Sequence, residues 1–136
     1  MANQHTPNLV CASGTIGPYR AVAPTGAGEN SANESNANNL SIGVTSGDTK
    51  AHDSTEHAEA GDQISLQTGN VLMIEAGGAI TRGGGIMTDA EGRAVAATPD
   101  GATLIYHLGV ALETAGGAGE IIRMIWMPQA IRPALS

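Results

Sequence analysis

Four side chains able to hold a metal or move a proton crowd one short stretch of this chain: His52, Asp53, Glu56 and His57. The two imidazoles stand five residues apart, which suits neither one helix face nor the His-Glu-x-x-His spacing of a zinc hydrolase. The other reading is a solvated acidic loop whose histidines titrate freely. Gly83-Gly84-Gly85 could cradle a phosphate, but no Gly-Lys-Ser/Thr follows and no helix start is expected after it, so a turn is the better reading. No Gly-x-Ser-x-Gly elbow exists, and Cys11 has no recognisable partner for nucleophilic work. His107, between Tyr106 and Leu108 in an apolar run, has the setting of a hydrogen-bonded structural histidine more than that of a catalytic base. No active site assembles from these residues, and neither an enzymatic role nor a cofactor is expected.

The elements that would position such side chains are short strands. Leu104 to Leu112 and Ile121 to Met127 are predicted strands joined by Gly116-Gly117-Ala118-Gly119, and Asp89-Ala90-Glu91-Gly92 reads as a turn whose glycine takes a positive φ. Gln63 to Gln67 and Asn70 to Glu75 flank Thr68-Gly69 and read as a hairpin, with Val71, Met73 and Glu75 on one face and Leu72 and Ile74 on the other. About ten such segments predict an all-β fold, a compact sandwich or barrel. A parallel α/β fold would need helical crossovers that the chain does not offer.

One phrase occurs twice. Arg20-Ala21-Val22-Ala23 is answered by Arg93-Ala94-Val95-Ala96, Ile42-Gly43-Val44 by Leu108-Gly109-Val110, and Gly61-Asp62-Gln63-Ile64 by Gly119-Glu120-Ile121-Ile122. The spacing between copies shrinks from 73 to 66 to 58 residues, which puts the longer insertions in the first. The expectation is one β-motif used twice within a single domain spanning residues 1–136. Residues 1–13 would form an N-terminal arm, 14–127 a β-core with a polar, acidic loop at 27–60, and 128–136 a C-terminal arm.

Composition narrows the function. The formal charge is −7, and seven carboxylates against one lysine between residues 29 and 62 supply most of it. With no basic stripe and no stacking platform, nucleic-acid binding is disfavoured. No run approaches the roughly 18 apolar residues of a membrane-spanning helix, and no signal peptide precedes Asn3-Gln4-His5. A single cysteine excludes an intrachain disulfide and fits a reducing compartment. With no Phe, 19 Gly and only Tyr19, Tyr106 and Trp126 as aromatics, Ala, Val, Ile and Leu must fill the core, and oligomerisation is the expected remedy for a marginal monomer. The residues that read as association surface are apolar and lie in polar or terminal segments: Leu9, Val10, Trp126, Met127, Ile131 and Leu135, with Arg132 among them. For the closing stretch, a final core strand with a trailing tail is an equal reading.

The run Gly85-Ile86-Met87-Thr88-Asp89-Ala90-Glu91-Gly92-Arg93-Ala94-Val95, then Leu108-Gly109-Val110-Ala111-Leu112-Glu113 and Gly119-Glu120-Ile121-Ile122-Arg123-Met124, resembles the small capsid decoration, or cement, proteins of tailed bacteriophages. A glycine-rich turn, a D-x-x-G-(R/K)-A hairpin, a (V/L)-G-x-A-L-E strand and an A-G-(E/D)-hydrophobic strand come in that order, and the likeness covers roughly residues 16 to 127. It implies a structural role on the outer surface of a virion, in a protein made in the host cytoplasm. It also implies a homotrimer that binds the major capsid protein, bridges neighbouring subunits and stabilises the shell. Two rivals stand beside it. One is a carbohydrate- or receptor-binding β-module, which would normally cluster aromatics. The other is a small metal-dependent β-enzyme built on His52 and His57.

Overall fold

The structure is a computed structural model that describes residues 9–12, 14–25, 31–47, 58–98 and 104–131. They form twelve strands and no helix: β1 (Leu9–Cys11), β2 (Thr15–Ile16), β3 (Ala21–Pro24), β4 (Ser31–Glu34), β5 (Gly43–Val44), β6 (Ala58–Glu59), β7 (Gln63–Ile64), β8 (Val71–Glu75), β9 (Gly85–Thr88), β10 (Ala94–Ala96), β11 (Ile105–Ala111) and β12 (Ile121–Ile131). The all-β expectation holds. One sheet runs β5-β3-β4-β1-β7, a second runs β10-β9-β11-β12-β8, and β2 pairs with β6 apart from both.

Period-two alternation places the core. In β8, Leu72 and Ile74 are buried while Val71 and Met73 are exposed, and β12 buries Ile122 and Met124 between exposed Ile121 and Arg123. These side chains join Ile80, Ile86 and Leu108 in one cluster, which Ala21 and Val44 enter from the first sheet. A second cluster holds Leu9, Cys11, Ile16, Val22, Ala32, Ala58 and Ile64. Aliphatic residues fill both, and Trp126 reaches the first only in part.

The copies of the repeated phrase fall in different sheets and meet different neighbours. β3 pairs directly with β5, whereas β9 stands between β10 and β11. The likeness is therefore one of local strand sequence, not of wiring.

The expected loop and both expected arms are changed by the structure. The loop expected at 27–60 contains β4, whose Ser-Ala-Asn-Glu sequence has low β-propensity but lies between β3 and β1, a position that supplies its hydrogen bonds from both sides. The expected N-terminal arm contains β1, an inner strand between β4 and β7. The expected C-terminal arm starts inside β12, where Gln129, Ala130 and Ile131 pair with His107, Tyr106 and Ile105. Pro128 is tolerated there because the β11–β12 register shifts between His107 and Gly109 and β8 pairs only with residues 121–125.

Thr68-Gly69 does not close a hairpin either, since β7 and β8 belong to different sheets. The partner edge of β8 is taken by a side chain. Gln67 Oε1 accepts from Met73 N at 2.9 Å, while Gln67 Nε2 donates to Met73 O at 2.6 Å and to Thr45 O at 3.0 Å. A primary amide offers one acceptor and one donor side by side, as a strand residue does. Asn38 repeats the device on β11, donating from Nδ2 to Leu104 O and accepting on Oδ1 from Tyr106 N, each at 2.8 Å. Its φ of 50° is the left-handed conformation that Asn tolerates best among non-glycines. The two amides close strand edges that would otherwise be open.

Candidate functional site

The arginines of the doubled phrase converge on one seam between the sheets. Arg20 Nη1 donates to Glu91 O at 3.0 Å and lies 3.6 Å from Glu34 Oε2, and Arg20 Nη2 reaches both Glu75 oxygens at 3.3 Å. Arg93 Nε donates to Asp89 Oδ2 at 2.9 Å, and its Nη2 pairs with Glu91. Asp89 Oδ1 also accepts from the backbone N–H of Glu91 and of Arg93, so the D-x-x-G-R sequence folds its turn around one carboxylate. Gly92 closes that turn at φ 74°, and its carbonyl oxygen accepts from Ala21 N at 2.7 Å across the seam.

Glu34 Oε2 accepts from Gly17 N at 2.9 Å. Burial pushes its carboxyl above the usual carboxylate value against the pull of that N–H and of Arg20, with the Glu91 and Asp89 charges adding to the rise. Each carboxylate here is held by an arginine, a backbone N–H or both. The cluster ties the sheets together and leaves no acid or base poised for a substrate.

Among the described residues, the chemistry-bearing candidates do not meet. His52, Asp53, Glu56 and His57 lie outside the described residues. Cys11 is buried, its Sγ 3.8 Å from Gly14 O, in the core around β1. The His107 imidazole makes no hydrogen bond among the described residues, contrary to expectation; the ring lies over Gly85, where a Cβ would come 2.7 Å from Cε1. Gly83 takes φ 87° in a turn closed by Gly84 N donating to Thr81 O, and a strand follows it, so no phosphate cradle forms. An open groove of about 320 Å³ lies beside that turn, lined by Ala79, Ile80, Thr81, Ala96, Ala97 and Thr114 among others. Its described lining carries no aromatic ring.

The association residues separate by burial. Leu9 is 4% exposed and belongs to the core, because alternation in β1 turns Leu9 and Cys11 inward and leaves Val10 half-buried. Trp126 packs against the core cluster, and Met127 is 48% exposed. Ile131 ends β12; Arg132 and Leu135 lie outside the described residues.

Sequence reasoning missed the larger surface around Met127. On the outward face of the second sheet, Val71 stands opposite Ile125 and Met73 opposite Arg123, with Val110 beside Ile125 on β11. Val71, Met73, Ile121 and Met127 are 52%, 40%, 37% and 48% exposed, a contiguous apolar strip that includes the Arg123–Glu113 ion pair. The alternation that put Val71 and Met73 on one face was visible; which face pointed outward was not.

A family model described as a phage cement protein matches residues 21–125, which includes nine of the strands whole, β3 to β11, and the start of β12. Among solved structures, the chain is similar to the crystal structure of the head fiber gp8.5 N base in bacteriophage phi29. The TM-score is 0.66 at 20% identity, over 88% of this chain and 91% of that one, a likeness of fold. No curated protein matches the chain.

Proposed function

The chain belongs to the phage cement protein family, and from that premise we propose that it is a structural decoration protein of the phage head, bound to the outer surface of the shell. In this reading it forms a homotrimer that bridges neighbouring subunits of the major capsid protein and stabilises the assembled head. The observation that carries it is the family match, which runs through the D-x-x-G-R turn and the strands on either side. The fold adds a physical reason: with Arg20 bridging to Glu75 and the Gly92 carbonyl accepting from Ala21 N between the two sheets, and each described carboxylate of the seam already held by an arginine or a backbone N–H, the molecule has the character of a rigid body that offers surfaces.

Two surfaces divide the work. The apolar strip of β8 and β12, which includes Met127, is the contact between copies, and Ile131, Arg132 and Leu135 are assigned to the same contact from the sequence alone. Exposed apolar side chains at that density are covered when trimers form, which compensates for a core without Phe. Bridging then works through multivalency, since a trimer whose copies each grip the shell weakly is held far more tightly than one copy.

The test is co-sedimentation of the purified full chain with heads that lack it. Saturable binding at a fixed ratio to the major capsid protein is expected. Protein that stays in the supernatant at saturating concentration overturns the reading.

A further inference from the structure

The groove beside β10 has a geometry that the apolar strip lacks. β10 is the end strand of the second sheet. Asp89 N donates to Arg93 O and Ala97 N to Gly85 O, so residues 93, 95 and 97 spend their main-chain groups on β9. By the alternation of an antiparallel ladder, Ala94 and Ala96 point theirs the other way. Ala94 O accepts from Gly77 N at 2.7 Å, where the chain after β8 runs alongside. Past that point the two segments diverge, and the groove opens between Ala96-Ala97 and Ala79-Ile80-Thr81.

On the far wall Ile80 exchanges both its hydrogen bonds with Ala115, which turns the main chain of Ala79 away from that pair. Neither Ala79 nor Ala96 makes a hydrogen bond within the groove among the described residues. Small side chains line it, Ala79, Gly84, Gly85, Ala96 and Ala97, so another backbone can approach closely. The edges of β8 and of the start of β11 are capped by Gln67 and Asn38, and the outer side of β5 is met by Gln67 N donating to Val44 O.

Charge identifies the occupant. Arg82 is exposed in the turn that forms the rim, between Thr81 and Gly84. Arg20, Arg93 and Arg123 are all ion-paired, and among the described residues Arg82 is the arginine without a carboxylate. A second copy pairing its own β10 here about a two-fold would bring one unpaired Arg82 against another, which disfavours self-pairing. An acid-bearing strand from a different protein satisfies both the main chain and the arginine.

We propose that this groove receives an extended, carboxylate-bearing segment of the shell protein, which adds as a strand alongside β10 with its acidic side chain on Arg82. This rests on the head-binding role above and assigns it a contact. Main-chain pairing gives such a docked strand its affinity, and the small groove side chains together with Arg82 give it selectivity.

Two variants of the full chain test it by co-sedimentation with heads that lack the protein. Ala96→Pro removes an N–H that β9 does not use and puts a ring in the path of an added strand; Arg82→Glu reverses the rim charge on an exposed turn. Both should keep the wild-type strand content, melting temperature and solution mass. Both should bind heads more weakly, Arg82→Glu by about tenfold or more at low salt, with the deficit shrinking as salt screens the rim. Wild-type protein that binds heads while both variants bind equally well overturns the groove and leaves the head-binding role standing. Variants that lose their solution mass overturn it in favour of a contact between copies. Wild-type protein that ignores heads overturns both readings together.

Discussion

Gly92 shows how much of this fold rests on single residues. Its φ of 74° is a conformation that costs other residues roughly 1–2 kcal/mol, and a Cβ there would meet Ala21 O at 2.7 Å, at the point where the sheets join. Gly92→Ala should therefore destabilise by about 2 kcal/mol or more, strain and clash together, read as a lowered denaturant midpoint. A variant as stable as wild type would contradict the seam as described. The fourth place of the D-x-x-G turn made this glycine legible in the sequence. Nothing in the sequence announced that its carbonyl would bind Ala21, since that contact spans the two halves of the chain. Glu34 gives the seam a pH signature. Its folded-state value lies above the ordinary one, so the folded protein holds that proton more tightly than the unfolded chain. Its contribution favours folding below the ordinary carboxylate value and is lost as pH rises through the raised one. Glu34→Gln mimics the protonated form and keeps an acceptor for Gly17 N. Relative to wild type, it should be more stable at pH 7 than at pH 4, and a stability difference that does not move between those two values would contradict the assignment.

At the scale of elements, strands with a clean alternation or a long apolar run were legible. β8, β11 and β12 fall where Asn70 to Glu75, Leu104 to Leu112 and Ile121 to Met127 predicted them, β12 running on to Ile131, with Leu72 and Ile74 turned inward as a pair. β4 was not legible, because Ser31, Asn33 and Glu34 carry no strand signal and the element exists only through its neighbours. The hairpin reading at Thr68-Gly69 failed for a related reason: Gln67 closes the edge of β8 with its side chain, and pattern rules count only backbones. The outward face of β8 and β12 carries the prediction that belongs here. Met73→Glu places a charge in an exposed apolar strip without touching the core. It should leave the thermal midpoint of the monomer close to wild type and shift the solution mass, measured by light scattering, from trimer towards monomer. A mass unchanged by Met73→Glu and by Val71→Glu would remove this strip from the contact between copies.

For the whole molecule, what distinguishes its halves is charge and exposed apolar surface, more than the local strand sequence that they share. The acidic stretch between residues 29 and 62 stands against an apolar strip and a rim arginine in the second half. Family membership was legible from the turn and strand motifs, whose residues prove to be structural: Asp89 and Gly92 shape one turn, Glu120 accepts from Gly116 N and Gly117 N in another, and Glu113 accepts from Arg123 N across β11 and β12. The docking groove was not legible, because it is made by main-chain groups that two segments fail to share. The central claim is that the protein bridges shell subunits and so stabilises the head. It is tested most directly by the temperature at which DNA-filled heads release their DNA, measured with and without saturating protein. The account predicts release at a higher temperature once binding is saturated, with the gain lost when the protein is removed. Heads that bind the protein to saturation and release DNA at an unchanged temperature would contradict it.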